Sequence, residues 1–166
     1  MGAPPPAVRV WMLRPGRALG DTAMSIEQYK RAEQRFVDEV INQGRMDSFD
    51  ELISPDWRER TDDSFGVERL RELIAAWRGG MPDLHATIEL ITAEGDLAAV
   101  RLRVEGTHTG NYLGLEPTGK KVAGTLAYFD RFDGSGRVVE SWTESGSKGF
   151  YEQICGRPYE VPVAAG

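Results

Sequence analysis

A glycine-rich stretch over residues 106–122, GTHTGNYLGLEPTGKKV, contains one of the two histidines of the chain. Glycine-rich loops bind phosphate where a strand turns into a helix, because the free N–H groups of the first helical turn point at the anion. This stretch instead connects two strand-like segments and lacks the Gly-Lys-Ser/Thr of a P-loop. The other histidine, His85, has no helical spacing to His108, so the spacing does not indicate a metal site. We predict neither a phosphate cradle nor a bound metal.

Three side chains in and after this stretch could move a proton: His108, Tyr128 and Asp130. Imidazole titrates near neutral pH and can act as acid or base. Tyr128 is a poor base but a suitable hydrogen-bond donor to an oxyanion, and Asp130 lies on the same strand face by the period of two. Such a set fits removal of a proton from carbon between two carbonyl groups. The structural alternatives are a loop-bonded histidine, a core tyrosine and an aspartate that begins a hairpin.

The elements that position His108, Tyr128 and Asp130 include three predicted helices in the first half of the chain. A capping box at Ser25 opens an amphipathic helix that Gly44 closes. A second box at Ser48 predicts a short helix that Pro55 follows, and apolar residues over 67–77 predict a third helix, ending before two glycines.

Strand patterns follow the helices. After Pro82 the apolar period becomes two, in the segments HATIELI, AAVRLRVEG, KVAGTLAYFDRF and RVVESWTES. Helices first and strands later indicate an α+β fold, with helices packed on one face of a mostly antiparallel sheet. In the last segment Glu140, Trp142 and Glu144 share a parity with Val138, so that either these residues edge a pocket or a bulge shifts the register.

The third strand segment, residues 121–132, is apolar on both sides. Leu126, Tyr128 and Asp130 share one side, and Ala127 and Phe129 share the other. We interpret one side as the wall of a core or cavity and the other as a contact with a second subunit, and we predict a homodimer.

The composition of the chain limits the classes of partner that it can bind. The chain of 166 residues has 26 acidic and 20 basic residues, a net charge of −6 and no basic cluster, which argues against nucleic acid and anionic membrane surfaces as partners. The single cysteine, Cys155, excludes an internal disulfide and a cysteine-based zinc site. No apolar run approaches the ~20 residues that span a bilayer, and we see no export signal. We expect a cytoplasmic protein.

The chain divides into three parts. Prolines and the absence of periodicity predict a flexible N-terminal extension over residues 1–23. Residues 24–156 form the predicted domain, and residues 157–166 form a C-terminal tail.

The glycine-rich stretch resembles a connection in the SnoaL-like polyketide cyclase family of the nuclear transport factor 2-like superfamily. There, Gly-Thr-His-Thr-Gly is followed by Pro-Thr-Gly and a basic residue, as in residues 106–110 and 117–120 here. The likeness continues in order through FVDEVINQGRMDSFDELISPDW, MPDL and FDRFDGSGRVVESW, and it covers roughly residues 29–154.

The resemblance implies a cone-shaped barrel, formed by a curved and mostly antiparallel sheet, with N-terminal helices closing an apolar cavity. It also implies a homodimer and cyclisation of a small apolar or aromatic polyketide-like ligand by intramolecular aldol chemistry without a cofactor. Besides cyclisation, the resemblance implies related tailoring reactions of secondary metabolism, such as those of antibiotic biosynthesis.

Departures from the family pattern fall on residues that would transfer protons. Counting back from Arg131, the family's aspartate on the penultimate strand is Tyr128 here. The family's Glu-His-Trp reads Glu140-Ser141-Trp142, and Arg60 lies near the place of another histidine. The candidate catalytic residues are therefore His108, Tyr128 and Asp130. The candidate substrate-binding residues are Trp57, Arg60, Tyr112, Glu140 and Trp142.

Two functions of different classes follow. The first is an enzyme, a cyclase or related tailoring enzyme that uses acid/base chemistry. The second is a non-catalytic member of the same fold that binds a ligand or acts as a scaffold. The missing aspartate favours the second function, whereas the retained histidine motif favours the first.

Overall fold

The computed structural model describes residues 25–61, 66–145 and 149–158. The predicted extension over residues 1–23 and the last eight residues of the predicted tail lie outside the described residues. The helices are α1 (Ile26–Arg35), α2 (Met46–Leu52), α3 (Val67–Gly80) and α4 (Phe150–Cys155), and a π-helical segment, Phe36–Asn42, continues α1. The strands are β1 (Ile53–Glu59), β2 (His85–Glu94), β3 (Leu97–Thr107), β4 (Lys121–Phe132) and β5 (Val138–Ser145).

Helix α1 begins at the predicted capping box. The backbone N–H of Ser25 donates to Oε1 of Gln28 at 2.6 Å, and the Gln28 N–H donates to Oγ of Ser25 at 3.3 Å, which satisfies two N–H groups that the first turn leaves free. The helix then widens into the π-helical segment, and the chain leaves it at Gly44 with a φ of 72°, a conformation that favours glycine. The prediction of this helix is confirmed.

The second predicted capping box is wrong. Helix α2 begins after Arg45 without a side-chain cap. Ser48 is buried, and its hydroxyl donates to Oε2 of Glu39 at 2.6 Å, so that it joins α2 to the preceding π-helical segment instead of capping a helix.

Three further boundaries differ from the sequence patterns. Strand β1, which the sequence patterns do not predict, directly follows α2, and its place at the edge of the sheet tolerates the missing N–H of Pro55. Helix α3 continues through Gly79 and Gly80, and α4 follows the last strand.

The sheet has five strands in the order β1-β5-β4-β3-β2, and it curves without closing into a barrel. All neighbouring strands are antiparallel except β1 and β5, which are parallel. The predicted α+β class is confirmed. The register between β4 and β5 shifts between Arg131 and Phe132. This irregularity places Val138 in the core while Glu140 and Trp142 belong to the opposite face, so the bulge alternative is confirmed.

The helices pack on the concave face of the sheet. Two groups of buried apolar side chains fill the space between the layers, one around Leu102 and Tyr128 and the other around Phe49 and Trp57. On β4, Tyr128 and Asp130 are buried, whereas Phe129 is 44% exposed on the outer face. The predicted alternation therefore holds.

The glycine-rich stretch caps the end of α3. The N–H groups of Thr109 and Gly110 both donate to the Gly80 carbonyl, at 3.1 and 2.9 Å, which satisfies an acceptor that the end of a helix leaves free. The approach is so close that a Cβ on Gly110 would lie 1.9 Å from the Gly79 carbonyl oxygen. The glycines therefore serve backbone contact between this stretch and α3.

Within residues 25–61, 66–145 and 149–158, no helix is long and apolar enough to cross a membrane.

Candidate functional site

A cavity of about 330 Å³ lies between helix α3 and the concave face of the sheet. This volume is at the lower end of the range for small-molecule sites, about 300–1,000 Å³. Thr61 lines the cavity and is exposed, so that the cavity reaches the surface beside the end of β1.

Most of the cavity wall is apolar. Helix α3 presents side chains at a spacing of three or four residues, and the π-helical segment adds Phe36 and Ile41. The apolar lining residues are Phe36, Ile41, Ile53, Trp57, Leu70, Leu73, Ile74, Trp77, Leu102 and Leu126.

The polar part of the wall comes from the ends of β1, β4 and β5. Tyr128 lies opposite Thr143 in the β4–β5 ladder, and Asp130 lies opposite Ser141. Directly opposed residues of an antiparallel pair point to the same face. Tyr128, Ser141 and Thr143 therefore line the cavity, together with Glu59 of β1.

Behind the cavity wall, Tyr128 is joined to a buried glutamate of helix α1. Its hydroxyl donates to Oε2 of Glu33 at 3.1 Å. Burial, followed by the nearby carboxyl groups of Glu33 and Asp130, raises the pKa of Tyr128 well above its usual value. The phenol therefore stays protonated and remains a hydrogen-bond donor.

Glu33 and Asp130 form a buried carboxyl pair. They are 1% and 5% exposed, and their side chains are hydrogen-bonded to each other. Burial, followed by the charge of Asp130, raises the pKa of Glu33 well above its usual value. Burial also raises the pKa of Asp130 to about 7, against hydrogen bonds from Ser141 and Glu33 that lower it. Two ionised carboxylates cannot hydrogen-bond to each other, so this contact requires a proton.

Ser141 connects Asp130 with the cavity. Its hydroxyl is hydrogen-bonded to Asp130, which lowers the pKa of that carboxyl, and Oγ accepts a hydrogen bond from Nε1–H of Trp57 at 2.7 Å. Trp57 is 2% exposed. The indole thus fixes the position of a hydroxyl that lies between the buried pair and the cavity.

Glu59 is a second carboxylate, and it lines the cavity directly. The hydroxyl of Thr143 donates to its Oε2 at 2.7 Å. The backbone N–H groups of Thr61 and Thr143 donate to its Oε1 at 3.1 and 3.2 Å. Three donors therefore hold this carboxyl group in place at the cavity wall.

The structure does not bring His108 into the cavity. The imidazole is fully buried, in the stretch that caps the end of helix α3, and its Nδ1 lies 3.0 Å from Oγ1 of Thr118. The backbone N–H and C=O of His108 bond to residues of the same stretch. Tyr112 is also buried outside the cavity lining, against Gly80. Both residues are paired through their backbone within the glycine-rich stretch, His108 with Lys120 and Tyr112 with Leu115. Their buried side chains therefore help to hold this stretch against the end of α3.

Three other predicted binding residues lie away from the cavity lining. Glu140 and Trp142 alternate with Ser141 on β5 and therefore point to the outer face of the sheet. Arg60 lies 3.7 Å from Glu140 in an ion pair, and Arg131 pairs with Glu140 at 2.7 Å while its guanidinium lies over the Trp142 ring. Of the five predicted binding residues, the cavity includes Trp57.

Sequence reasoning missed Glu33, Glu59, Ser141 and Thr143. Glu33 had a readable signal, since it lies four residues after Tyr29 and four before Val37 and so interrupts the apolar face of α1. The positions of the other three depend on strand β1 and on the register shift within β5.

No group of three or more His, Cys, Asp or Glu side chains in the described part of the chain could hold a metal ion.

The sequence model of one family, described as SnoaL-like polyketide cyclase, matches residues 31–154. No functionally curated protein matches the chain.

Several solved structures are similar. AclR from Streptomyces galilaeus, a candidate hydroxylase, is 28% identical, with 83% of this chain and 87% of AclR covered and a TM-score of 0.70. IdmH from Streptomyces antibioticus, a candidate polyketide cyclase, is 28% identical, with 76% and 98% covered and a TM-score of 0.63. A candidate polyketide cyclase from Acidithiobacillus ferrooxidans is 27% identical, with 79% and 97% covered and a TM-score of 0.63.

Proposed function

Because the chain belongs to the SnoaL-like polyketide cyclase family, we propose that it is a cofactor-independent polyketide cyclase or a related tailoring enzyme of secondary metabolism. The observation that supports this proposal is the combination of an apolar cavity with a single polar wall, where Tyr128 and Glu59 meet the cavity. The ligand is a small apolar or aromatic polyketide-like molecule, since the volume and the apolar lining suit one of limited size.

The proposed reaction begins with loss of a proton from carbon between two carbonyl groups, which leaves an enolate. Glu59, held as a carboxylate at the wall, is the base that faces the ligand. The phenol of Tyr128 donates to the enolate oxygen, and the apolar lining strengthens this hydrogen bond by excluding water. The ligand folds against Trp57, Trp77 and Leu102, so that the enolate carbon bonds to a second carbonyl carbon, whose π electrons pass to its oxygen. The alkoxide that results takes back the proton from Glu59.

The experiment is turnover of a synthetic poly-β-ketone ester by wild type and by Tyr128→Phe. The Phe variant keeps the packing volume of the ring, and loss of one oxyanion donor should lower kcat by roughly 10²–10³. Tyr151→Phe removes a hydroxyl from a half-buried tyrosine outside the cavity lining and is the matched control. Equal turnover by wild type and Tyr128→Phe would remove Tyr128 from the proposed site.

One observation favours the second candidate function, a non-catalytic binder. The cavity-facing hydroxyls of Tyr128, Ser141 and Thr143 are already bonded to Glu33, Asp130 and Glu59, so that a ligand would meet groups whose bonds are complete. A binder would return the poly-β-ketone ester chemically unchanged after stoichiometric binding, whereas an enzyme would release a cyclised product over many turnovers.

We also propose that the protein acts as a homodimer through the outer face of the sheet. Ala99, Phe129 and Trp142 lie in one row across β3, β4 and β5, and Phe129 and Leu90 are large apolar side chains that are 44% and 62% exposed. Burial of such a row in a second copy would remove it from water.

A further inference from the structure

The buried carboxyl pair is the feature of the molecule that the proposed reaction leaves unused. Glu33 projects from α1 and Asp130 from β4, and neither lines the cavity. Buried charges without cationic partners are expensive, and the charged group that acts on Asp130 from β1 is a further carboxylate, Glu59, which raises its pKa. Because burying these two carboxyl groups costs free energy of folding, we looked for a function that the pair could serve.

Two oxygen atoms of the pair indicate where a proton resides. Oε2 of Glu33 accepts from Tyr128. Oε1 of Glu33 and Oδ1 of Asp130 are buried and receive no hydrogen bond from the described residues. Since the two side chains are hydrogen-bonded to each other, a proton placed between these two oxygens satisfies both.

We propose that Glu33 and Asp130 are a proton reservoir behind the cavity wall, holding one shared proton and exchanging protons with the cavity through the hydroxyls of Tyr128 and Ser141. The reservoir is defined by these four residues. Each hydroxyl both lines the cavity and is hydrogen-bonded to one carboxyl of the pair.

The route through Tyr128 moves protons in a balanced way. In the enol form of the ligand, the proton on the oxygen that faces Tyr128 goes to Oη of Tyr128, while the tyrosine proton goes to Oε2 of Glu33. The proton on Oε1 of Glu33 then goes to Oδ1 of Asp130. The pair passes from one proton to two and from a charge of −1 to neutral, and the ligand gains one negative charge. No bond between heavy atoms forms or breaks.

The electrostatics favour this exchange near neutral pH. The second proton of the pair is held with a pKa of about 7, raised by burial, and a base whose pKa lies near the working pH accepts and returns protons efficiently. The groups that face the pair are Tyr128 on β4, Ser141 on β5 and Glu59 on β1. None of them carries a positive charge that would hold both carboxyls ionised.

The reservoir can be tested in the ligand-free protein by infrared spectroscopy of the protonated carboxyl band. At about pH 8, above the pKa of the second proton, wild type should show one protonated carboxyl, and near pH 6 the band should grow to about twice that intensity. Glu33→Gln should abolish the band at the higher pH. Glu27→Gln changes an exposed glutamate of the same helix and should leave it unaltered. Absence of the band from wild type at the higher pH overturns the reservoir without the need for any variant.

The route is tested by the rate at which this band exchanges on transfer to D₂O. Loss of one hydrogen-bonded link should slow the exchange on the order of tenfold in Tyr128→Phe and in Ser141→Ala, and the double variant should be slower than either. Exchange in the double variant at the wild-type rate overturns the route. Thermal unfolding of each variant shows that it is folded.

The final transfer to a ligand rests on the proposed function, and its failure can be distinguished from that of the reservoir. The carboxyl band and its exchange are measured without substrate, so that they report on the pair whether the protein is an enzyme or only binds a ligand. If the band behaves as expected and the poly-β-ketone ester is returned unchanged, the reservoir stands and the proposed enzyme falls.

Discussion

Replacing Asp130 by asparagine should change how the stability of the protein depends on pH. Asp130 is 5% exposed, and burial raises its pKa from 3.8 to about 7 in the folded protein. Between these values the native state binds a proton that the unfolded chain has lost. The free energy of unfolding therefore falls as pH rises through this window.

The magnitude follows from the two pKa values. A tenfold change in proton affinity is worth about 1.4 kcal/mol, so the displacement from 3.8 to about 7 corresponds to about 4 kcal/mol of stability lost between acid and neutral pH. The asparagine side chain cannot ionise and escapes this loss. Relative to wild type, Asp130→Asn should gain up to about 4 kcal/mol as pH rises from about 4 to 7, and the difference should then level off.

Urea denaturation at a series of pH values gives both free energies, and equal slopes against urea concentration show that the unfolded states are comparable. Glu39→Gln is a control of opposite sign. Hydrogen bonds from Arg35 and then Ser48 lower the pKa of Glu39 to about 2, so its contribution is present above pH 4.5 and is lost as pH falls toward 2. A difference between wild type and Asp130→Asn that stays constant from about pH 4 to 8 would refute the displaced pKa of Asp130.

Three further outcomes are expected. Gly110→Ala should cost about 1–3 kcal/mol in urea denaturation, since its Cβ would meet a backbone carbonyl of α3 at 1.9 Å, whereas Gly134→Ala, with open space around it, should cost much less. Phe129→Glu should convert the proposed dimer to a monomer of 18.4 kDa in light scattering; a wild type already of that mass would contradict the proposal. His108→Asn should lower stability by about 1–3 kcal/mol through lost buried bonding without altering ligand affinity, and an affinity loss would place the imidazole in the site.

Much of the fold could be predicted from local patterns. The capping box at Ser25, the helical spacing over 67–77 and the alternation along β4 are short-range signals, and the structure confirms them. Strand β1 could not be predicted in this way. Its sequence, ISPDWRE, contains a proline and several charges, and it becomes a strand because β5, far along the chain, pairs with it at the edge of the sheet.

The cavity was harder to predict than the fold because its polar wall depends on register. A bulge of one residue within β5, between Val138 and Glu140, exchanges the faces of Ser141 and Trp142, since side chains alternate along a strand. Glu140 and Trp142 were therefore predicted as binding residues, while Ser141 and Thr143 were not. His108 was predicted as a catalytic residue because a histidine among glycines is typical of a reactive loop. In the structure, the backbone of this stretch caps helix α3.

The position of Tyr128 relates the buried pair to the family pattern that the sequence resembles. The resemblance places the family's strand carboxylate at this residue, and here the carboxyl of Asp130 lies two residues further along β4, about 7 Å away on the same face. That step takes the carboxyl out of the cavity lining, where water could have solvated it, and into contact with Glu33 of helix α1. Two carboxyls in one dry space must share a proton, and the tyrosine left at the wall keeps its hydroxyl within hydrogen-bond distance of one of them. In the proposed reservoir, the proton store therefore lies one hydrogen bond behind the residue that faces the ligand.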